Sequence, residues 1–252
     1  MQNRLIPVLL LDRRRRLVKT IAFDERIYIG DPFNVVRLFN EKQVDEICVL
    51  DIDASRDGRH PDFGFLRELA SECFMPLSYG GGISSPDDCE RLNREGFEKF
   101  VLGRCALDEA LVRHLSATFG SQAIVACVDV KGSGAGARCV TTAGSTEMPP
   151  DEYCFRLEMA GVGEIIVQSV DRDGQRGGYD LTLISHLSPR LGVPLVALGG
   201  AGKHSHLADA LRAGASAAAS GSVFSFIGRL RAVLVSYPNA VERQTIDRES
   251  RS

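Results

Sequence analysis

Eight short runs of apolar, largely β-branched residues punctuate the chain, at about 4–11, 46–52, 75–79, 99–102, 122–129, 164–170, 193–198 and 216–220. They show little alternation of apolar and polar positions, as expected of parallel strands buried on both faces. Segments of helical spacing separate them. Val35, Val36, Leu38 and Phe39 mark one, Phe65, Leu66 and Leu69 another, and Leu107, Leu111 and Leu115 a third. Pro86, after Ser84-Ser85, suits a first helical position, where the missing N–H is not needed. Gly96, Gly120, Gly161 and Gly214 fall where helices should stop. Eight strand–helix units in succession predict an α/β fold, the (β/α)8 TIM barrel, as one domain over residues 1–237. After Pro238 the chain turns polar and charged, and residues 238–252 are expected to form a mobile tail.

The chain also repeats itself. Gly80-Gly81-Gly82-Ile83 recurs as Gly199-Gly200-Ala201-Gly202, with Gly81 and Gly200 119 residues apart (200 − 81). Glu46-Ile47 with Asp53 recurs 118 residues on as Glu164-Ile165 with Asp171, and Gly103 recurs as Gly221 at the same spacing. Such a repeat divides the barrel into two similar half-barrels of four units. A doubly wound open sheet, the competing architecture, has no closed symmetry to explain it. Asp129 ends the fifth run, and the position 119 residues before it is Leu10. An acid pair built on the repeat would need a carboxylate where this chain has an aliphatic side chain.

Composition narrows the function classes. A content of 44% apolar residues supports a sizeable core, and a net charge of −3 gives no reason to expect a nucleic-acid partner. The seven cysteines are odd in number, form no C-x-x-C and mostly sit in apolar runs, so they read as buried thiols of a reducing, cytoplasmic compartment. Leu5 to Leu11 is too short to span a membrane, and no cleavage site follows Arg13–Arg16, so neither a membrane anchor nor a signal peptide is expected.

The glycine clusters lie where strands three, seven and eight pass into the following loops, at the end of a barrel that carries the chemistry. There, backbone N–H groups and helix N-termini can hold an anion. Gly81, Gly82, Gly199, Gly200, Gly202, Gly221 and Ser222 are candidates for binding a phosphorylated small molecule, although each cluster is also an ordinary tight turn. Gly103-Arg104 puts a guanidinium where a small hydroxyl would suit a phosphate better, so the first half-site is altered, and tighter binding is expected in the second. Asp51, Asp53, Asp129 and Asp171 follow strand ends as candidate catalysts or loop caps. His204-x-His206 lacks a third ligand, so no metal is expected, and no cofactor is called for. Arg13–Arg16 reads as a solvated loop.

Val18-Lys19, Gly30-Asp31-Pro32, Leu50-Asp51-Ile52, Gly80–Ile83, Phe119-Gly120-Ser121-Gln122, Asp171-Arg172-Asp173-Gly174, Gly178-Tyr179-Asp180 and Gly199–Gly202 together resemble the HisF-type cyclase subunit of imidazole glycerol phosphate synthase, over residues 4 to 226. The resemblance implies ammonia joined to a bisphosphorylated ribulosyl-formimino carboxamide, followed by ring closure and C–N cleavage, with two aspartates as acid and base. One of them falls on Asp129 and the other on Leu10. Asp12, two residues on, is either its replacement or a solvated loop residue. The resemblance also implies roles for Lys19 and Asp171, a glutaminase partner at the amino end, and a gate for ammonia made of Arg4, Glu46, Lys99 and Glu164. An ordinary ring of paired charges is the alternative reading of those four. Leu9-Leu10-Leu11, Leu50–Ser55, Glu72–Leu77 and Tyr237-Pro238 resemble more closely a branch associated with glycosyl amidation in surface polysaccharide synthesis. That branch implies a barrel passing ammonia to an amidotransferase acting on a nucleotide-linked sugar. A working cyclase of histidine biosynthesis is the alternative, and a free-standing phospho-sugar isomerase or lyase a distant third.

Overall fold

A computed structural model describes residues 3–141, 144–145, 148–227 and 232–251. Eight strands, β1 (Arg4–Leu11), β2 (Ile47–Asp51), β3 (Leu77–Gly80), β4 (Lys99–Leu102), β5 (Ile124–Lys131), β6 (Glu164–Ser169), β7 (Leu195–Leu198) and β8 (Ala217–Ser220), pair in parallel with their neighbours. The pairings β8–β1 and β5–β6 close the circle, giving the expected (β/α)8 barrel. Two-sided burial explains the unbroken apolar runs. On β1, Ile6, Val8 and Leu10 point inward to the barrel interior, while Leu5, Leu9 and Leu11 join the layer beneath the helices.

The helices are α1 (Pro32–Glu41), α2 (Phe63–Ser71), α3 (Pro86–Arg94), α4 (Glu109–Phe119), α5 (Pro150–Met159), α6 (Leu181–Leu187), α7 (His204–Arg212) and α8 (Ala240–Glu249). Pro86 opens α3 behind a capping box of Ser85 and Asp88. Gly96, Gly120, Gly161 and Gly214 each lie at or just past a helix end with positive φ, the backbone state that stops a helix. Leu107 does not belong to α4 as its spacing suggested. It ends a 3-10 turn before the helix and is exposed. None of the described helices is long and apolar enough to cross a membrane.

Three elements depart from expectation. An antiparallel hairpin, Leu17–Ile21 with Glu25–Gly30, rises from the end of β1, with Leu10 opposite Val18 and Leu11 opposite Leu17. A second antiparallel extension, Arg138–Thr141 with Gly144–Ser145, continues from β5. The segment expected as a polar tail instead forms α8, capped by Asn239 and Glu242 and packed through buried Ile246; of that stretch, Ser252 lies outside the described residues.

Candidate active site

Two cavities open side by side at the carboxyl ends of the strands, where loops free of ladder constraints leave the barrel. Gly81, Arg104, Asp51 and Asp129 line the first. Gly199, Gly200, Gly221, Ser222, Lys19 and Asp173 line the second. Leu10 belongs to both walls, and so do Thr20 and Gln168. The mouth therefore holds two adjoining hollows with an aliphatic side chain between them.

Asp129 stands on β5 above Cys127, whose Sγ lies 3.8 Å from its Oδ1. Burial pushes the carboxyl up to about 7, so the neutral acid and the carboxylate are both accessible near neutral pH. Lys19, on the first hairpin strand, is buried and donates from Nζ to the Val8 carbonyl. Burial lowers its pKa to about 8, against the opposing pull of the Asp173 charge. Gly221 packs directly against it: a Cβ there would overlap the lysine ammonium and make it shift.

Asp171, proposed from sequence, is not part of either wall. It is exposed and accepts the Gly132 N–H at 2.7 Å, fixing the loop after β5. Asp173 occupies the cavity instead, accepting from Thr20 Oγ1 at 2.6 Å and raised in pKa by burial. Sequence reasoning passed over it, although Gly174 carried a signal: with φ +69° and packed on the Thr20 carbonyl, it turns the loop so that Asp173 faces in.

Asp12 and Asp53 serve the loops and stand outside both cavity walls. Asp12 is not a solvated loop residue. It is 4% exposed, accepts from the Arg14 and Arg16 N–H groups, and pairs with the Arg16 guanidinium at 2.7 Å. Arg13–Arg16 is the exposed loop expected, with Arg13 paired with Asp57 and Arg15 with Asp62 across its surface. Asp53 is wholly buried, bridged by Arg26 at 2.6 and 2.7 Å and by the Arg13 N–H, which lowers its pKa to about 2. This pair ties the hairpin to the loop after β2. Asp51 caps the Asp53 and Ala54 N–H groups.

Of the candidate phosphate glycines, Gly82 and Gly202 stand outside the cavity walls. The Gly82 N–H goes to Ser55 Oγ at 3.1 Å and the Gly202 N–H to His206 Nδ1 at 3.2 Å. His204 lies 3.6 Å from Glu242 on α8, apart from His206's contact. Arg104 is exposed at the rim of the first cavity.

At the opposite end, the four strand-start charges come together as a closed ring. Glu46 accepts from Arg4 at 2.8 Å and from Lys99 at 2.9 Å, and Glu164 accepts from Lys99 at 2.8 Å and from Arg4. Both glutamates are buried, while the two cations remain partly open to the amino face. Above the ring, Ile6, Cys48, Val101 and Ile166 begin an apolar interior that leads to Leu10.

The sequence matches the model of a family described as histidine biosynthesis protein over residues 4–230. Two relatives are named "Putative imidazole glycerol phosphate synthase subunit": hisF2 of Pseudomonas aeruginosa is 45% identical, covering 94% of this chain and 96% of its own length, and hisF3 of Vibrio vulnificus is 40% identical, covering 97% and 96%. The imidazole glycerol phosphate synthase subunit HisF of Streptomyces avermitilis is 37% identical over 90% of this chain and 92% of its own. Barrel, glycine loops and full-length similarity agree, and the chain belongs to the HisF-type family of imidazole glycerol phosphate synthase cyclase subunits.

Proposed function

We propose that this barrel is the ammonia-receiving subunit of a glutamine amidotransferase system whose own cyclase chemistry is disabled at Leu10. The observation that carries the reading is the position of that leucine. It is buried in the shared wall of both cavities, where an acid partner for Asp129 would stand, and Asp12 is engaged in its own loop. Leucine transfers no proton, whereas Asp129, raised to about 7 by burial, can.

The charged ring at the amino end supports a route for ammonia from a HisH-like glutaminase docked there. Partly solvated ion pairs are weak enough to open. Phosphorylated ligand would be held by the Gly81 and Arg104 side of the mouth, and by Gly199, Gly200, Gly221 and Ser222 on the other. The product side is an amidation, with a nucleotide-linked sugar as acceptor, in the cytoplasm. A working cyclase of histidine biosynthesis remains the second reading, favoured by the near-neutral Asp129.

The experiment pairs two assays. Ammonia-dependent turnover of the histidine-pathway substrate by the isolated barrel is expected to be negligible. Stimulation of a co-encoded glutaminase is expected to be clear, and Lys99→Ala should uncouple glutamine hydrolysis from amidation while the fold persists. Robust cyclase turnover refutes the disabled-site reading. Absence of both association and stimulation refutes the ammonia-receiving one.

A further inference from the structure

We infer that Arg243, on the C-terminal helix α8, is a positioning residue for the amino-end ring, holding the backbone beside Arg4 and Glu46 so that the ring stays closed. The inference rests on the gate reading proposed above. Its basis is a polar cluster in which one helix grips both sides of one ring member and the residue preceding another. Arg243 Nη1 meets Asp45 Oδ2 at 2.7 Å, and Nη2 donates to the Asn3 carbonyl. The same Asp45 oxygen accepts the Leu5 N–H at 2.8 Å. Tyr237, just before α8, donates its hydroxyl to the Leu5 carbonyl at 3.0 Å and accepts the Asp45 N–H at 3.3 Å.

Arg4 lies between Asn3 and Leu5, and Glu46 directly follows Asp45. The main chain flanking Arg4, and that entering Glu46, are thus tied to a span of seven residues, Tyr237 to Arg243. The Arg243 and Asp45 side chains are 14% and 24% exposed, a setting in which a charge-assisted hydrogen bond is stronger than in open water.

The helix packs against α7. Ile246 is its buried apolar residue, and its far end is fixed by Arg212 donating to the Glu249 carbonyl at 2.9 Å. A C-terminal helix with one buried apolar residue can open locally without global unfolding of the barrel. Release of α8 would free the Asn3–Leu5 and Asp45 backbone together, and with it two of the four ring charges. Helix α8 thereby acts on the ring from outside the barrel.

Cysteine accessibility tests this without any assumption about ammonia. Cys48 lies two residues beyond Glu46, inside the barrel above the ring and 2% exposed. Cys89 and Cys154 are fully buried on the inner faces of α3 and α5 and report on general loosening. Methyl methanethiosulfonate labelling of the full chain, read for each cysteine by mass spectrometry, is compared among wild type, Arg243→Ala, Tyr237→Phe, Arg243→Lys and Lys99→Ala. Losing a hydrogen bond to a charged group should speed Cys48 labelling on the order of tenfold in Arg243→Ala. Tyr237→Phe should give a smaller rise and Arg243→Lys a partial rescue, with Cys89 and Cys154 unchanged throughout. If Lys99→Ala exposes Cys48 and neither Arg243→Ala nor Tyr237→Phe does, the inference is overturned and the gate reading stands. Equal acceleration of all three cysteines in Arg243→Ala overturns it as well, by showing general loosening. If Lys99→Ala leaves Cys48 protected, the gate reading itself fails.

Discussion

Leu10→Asp is the perturbation that separates a disabled cyclase from a barrel that never depended on this position. Leu10 is 7% exposed, and replacing it gives up most of one leucine's burial, about 2 kcal/mol. Placing a carboxyl in the apolar wall adds about 1–3 kcal/mol. The new acid would share the mouth with Asp129, already at about 7, and two carboxyls in one site push one of their pKa values upward. One neutral acid and one carboxylate would then coexist near neutral pH, the arrangement that general acid–base chemistry needs. Such a pair typically contributes on the order of 10²- to 10⁴-fold in rate. The assay is ammonia-dependent turnover of the histidine-pathway substrate, with Leu10→Asn as the control. Asparagine carries a similar stability cost and transfers no proton, so the difference between the two variants isolates the chemistry. A Leu10→Asp variant that is folded and no faster than Leu10→Asn refutes the reasoning.

Three further outcomes follow from the same geometry. Because the folded-state pKa of Asp129 is raised to about 7, the native protein holds a proton that the unfolded chain releases near 4, and stability should fall as pH rises from about 4 to 7. Asp129→Asn removes that penalty and should stabilise the protein at pH 8 by on the order of 2 kcal/mol, allowing for the open cavity, but not at pH 4; urea midpoints at the two pH values decide it. Arg26→Ala strands the buried Asp53 carboxylate and should cost about 3 kcal/mol at pH 7. Since the Asp53 pKa is depressed to about 2, the wild-type contribution is complete above about 4 and is lost as pH falls towards 2, so acid titrations of the two proteins should converge there; parallel curves argue against the pair. Gly221→Ala should drive the Lys19 ammonium off the Val8 carbonyl and towards solvent, raising its pKa from about 8 towards about 10.4. Lysine Cε NMR titration measures this, and an unmoved pKa would show that the contact is not what holds Lys19.

Much of the barrel could be read from the chain because burial on both faces writes continuous apolar runs, and because the glycines at helix ends have no other easy role. The ring at the amino end was legible too, since Arg4, Glu46, Lys99 and Glu164 each stand at the edge of such a run. What escaped was held by polar contacts that leave no period. Helix α8 presents Ile246 as its buried apolar residue, and the Asn239–Glu242 cap and Arg243 help to seat it against α7. The hairpin after β1 is secured by Arg26 on Asp53, residues 27 apart, which no local pattern reveals. Asp171 and Asp173 share one tight loop, and Asp173 is held at the cavity by the Thr20 hydroxyl, 153 residues away in the chain and beyond the reach of any local pattern.

The pairing of Leu10 with Val18 makes position 10 a matter of two residues. These residues form a rung between β1 and the first hairpin strand, and both belong to the barrel interior. Val18 directly precedes Lys19 and Thr20, so the rung sets the height at which the lysine enters the second cavity. A carboxylate at position 10 would leave Val18 facing a charge and loosen the strand that delivers Lys19. An acid at position 10 therefore gains chemistry at some cost to the lysine's seat, and a polar partner at position 18 should enlarge the gain that Leu10→Asp gives alone. The rung couples proton transfer on one side of the mouth to the lysine on the other.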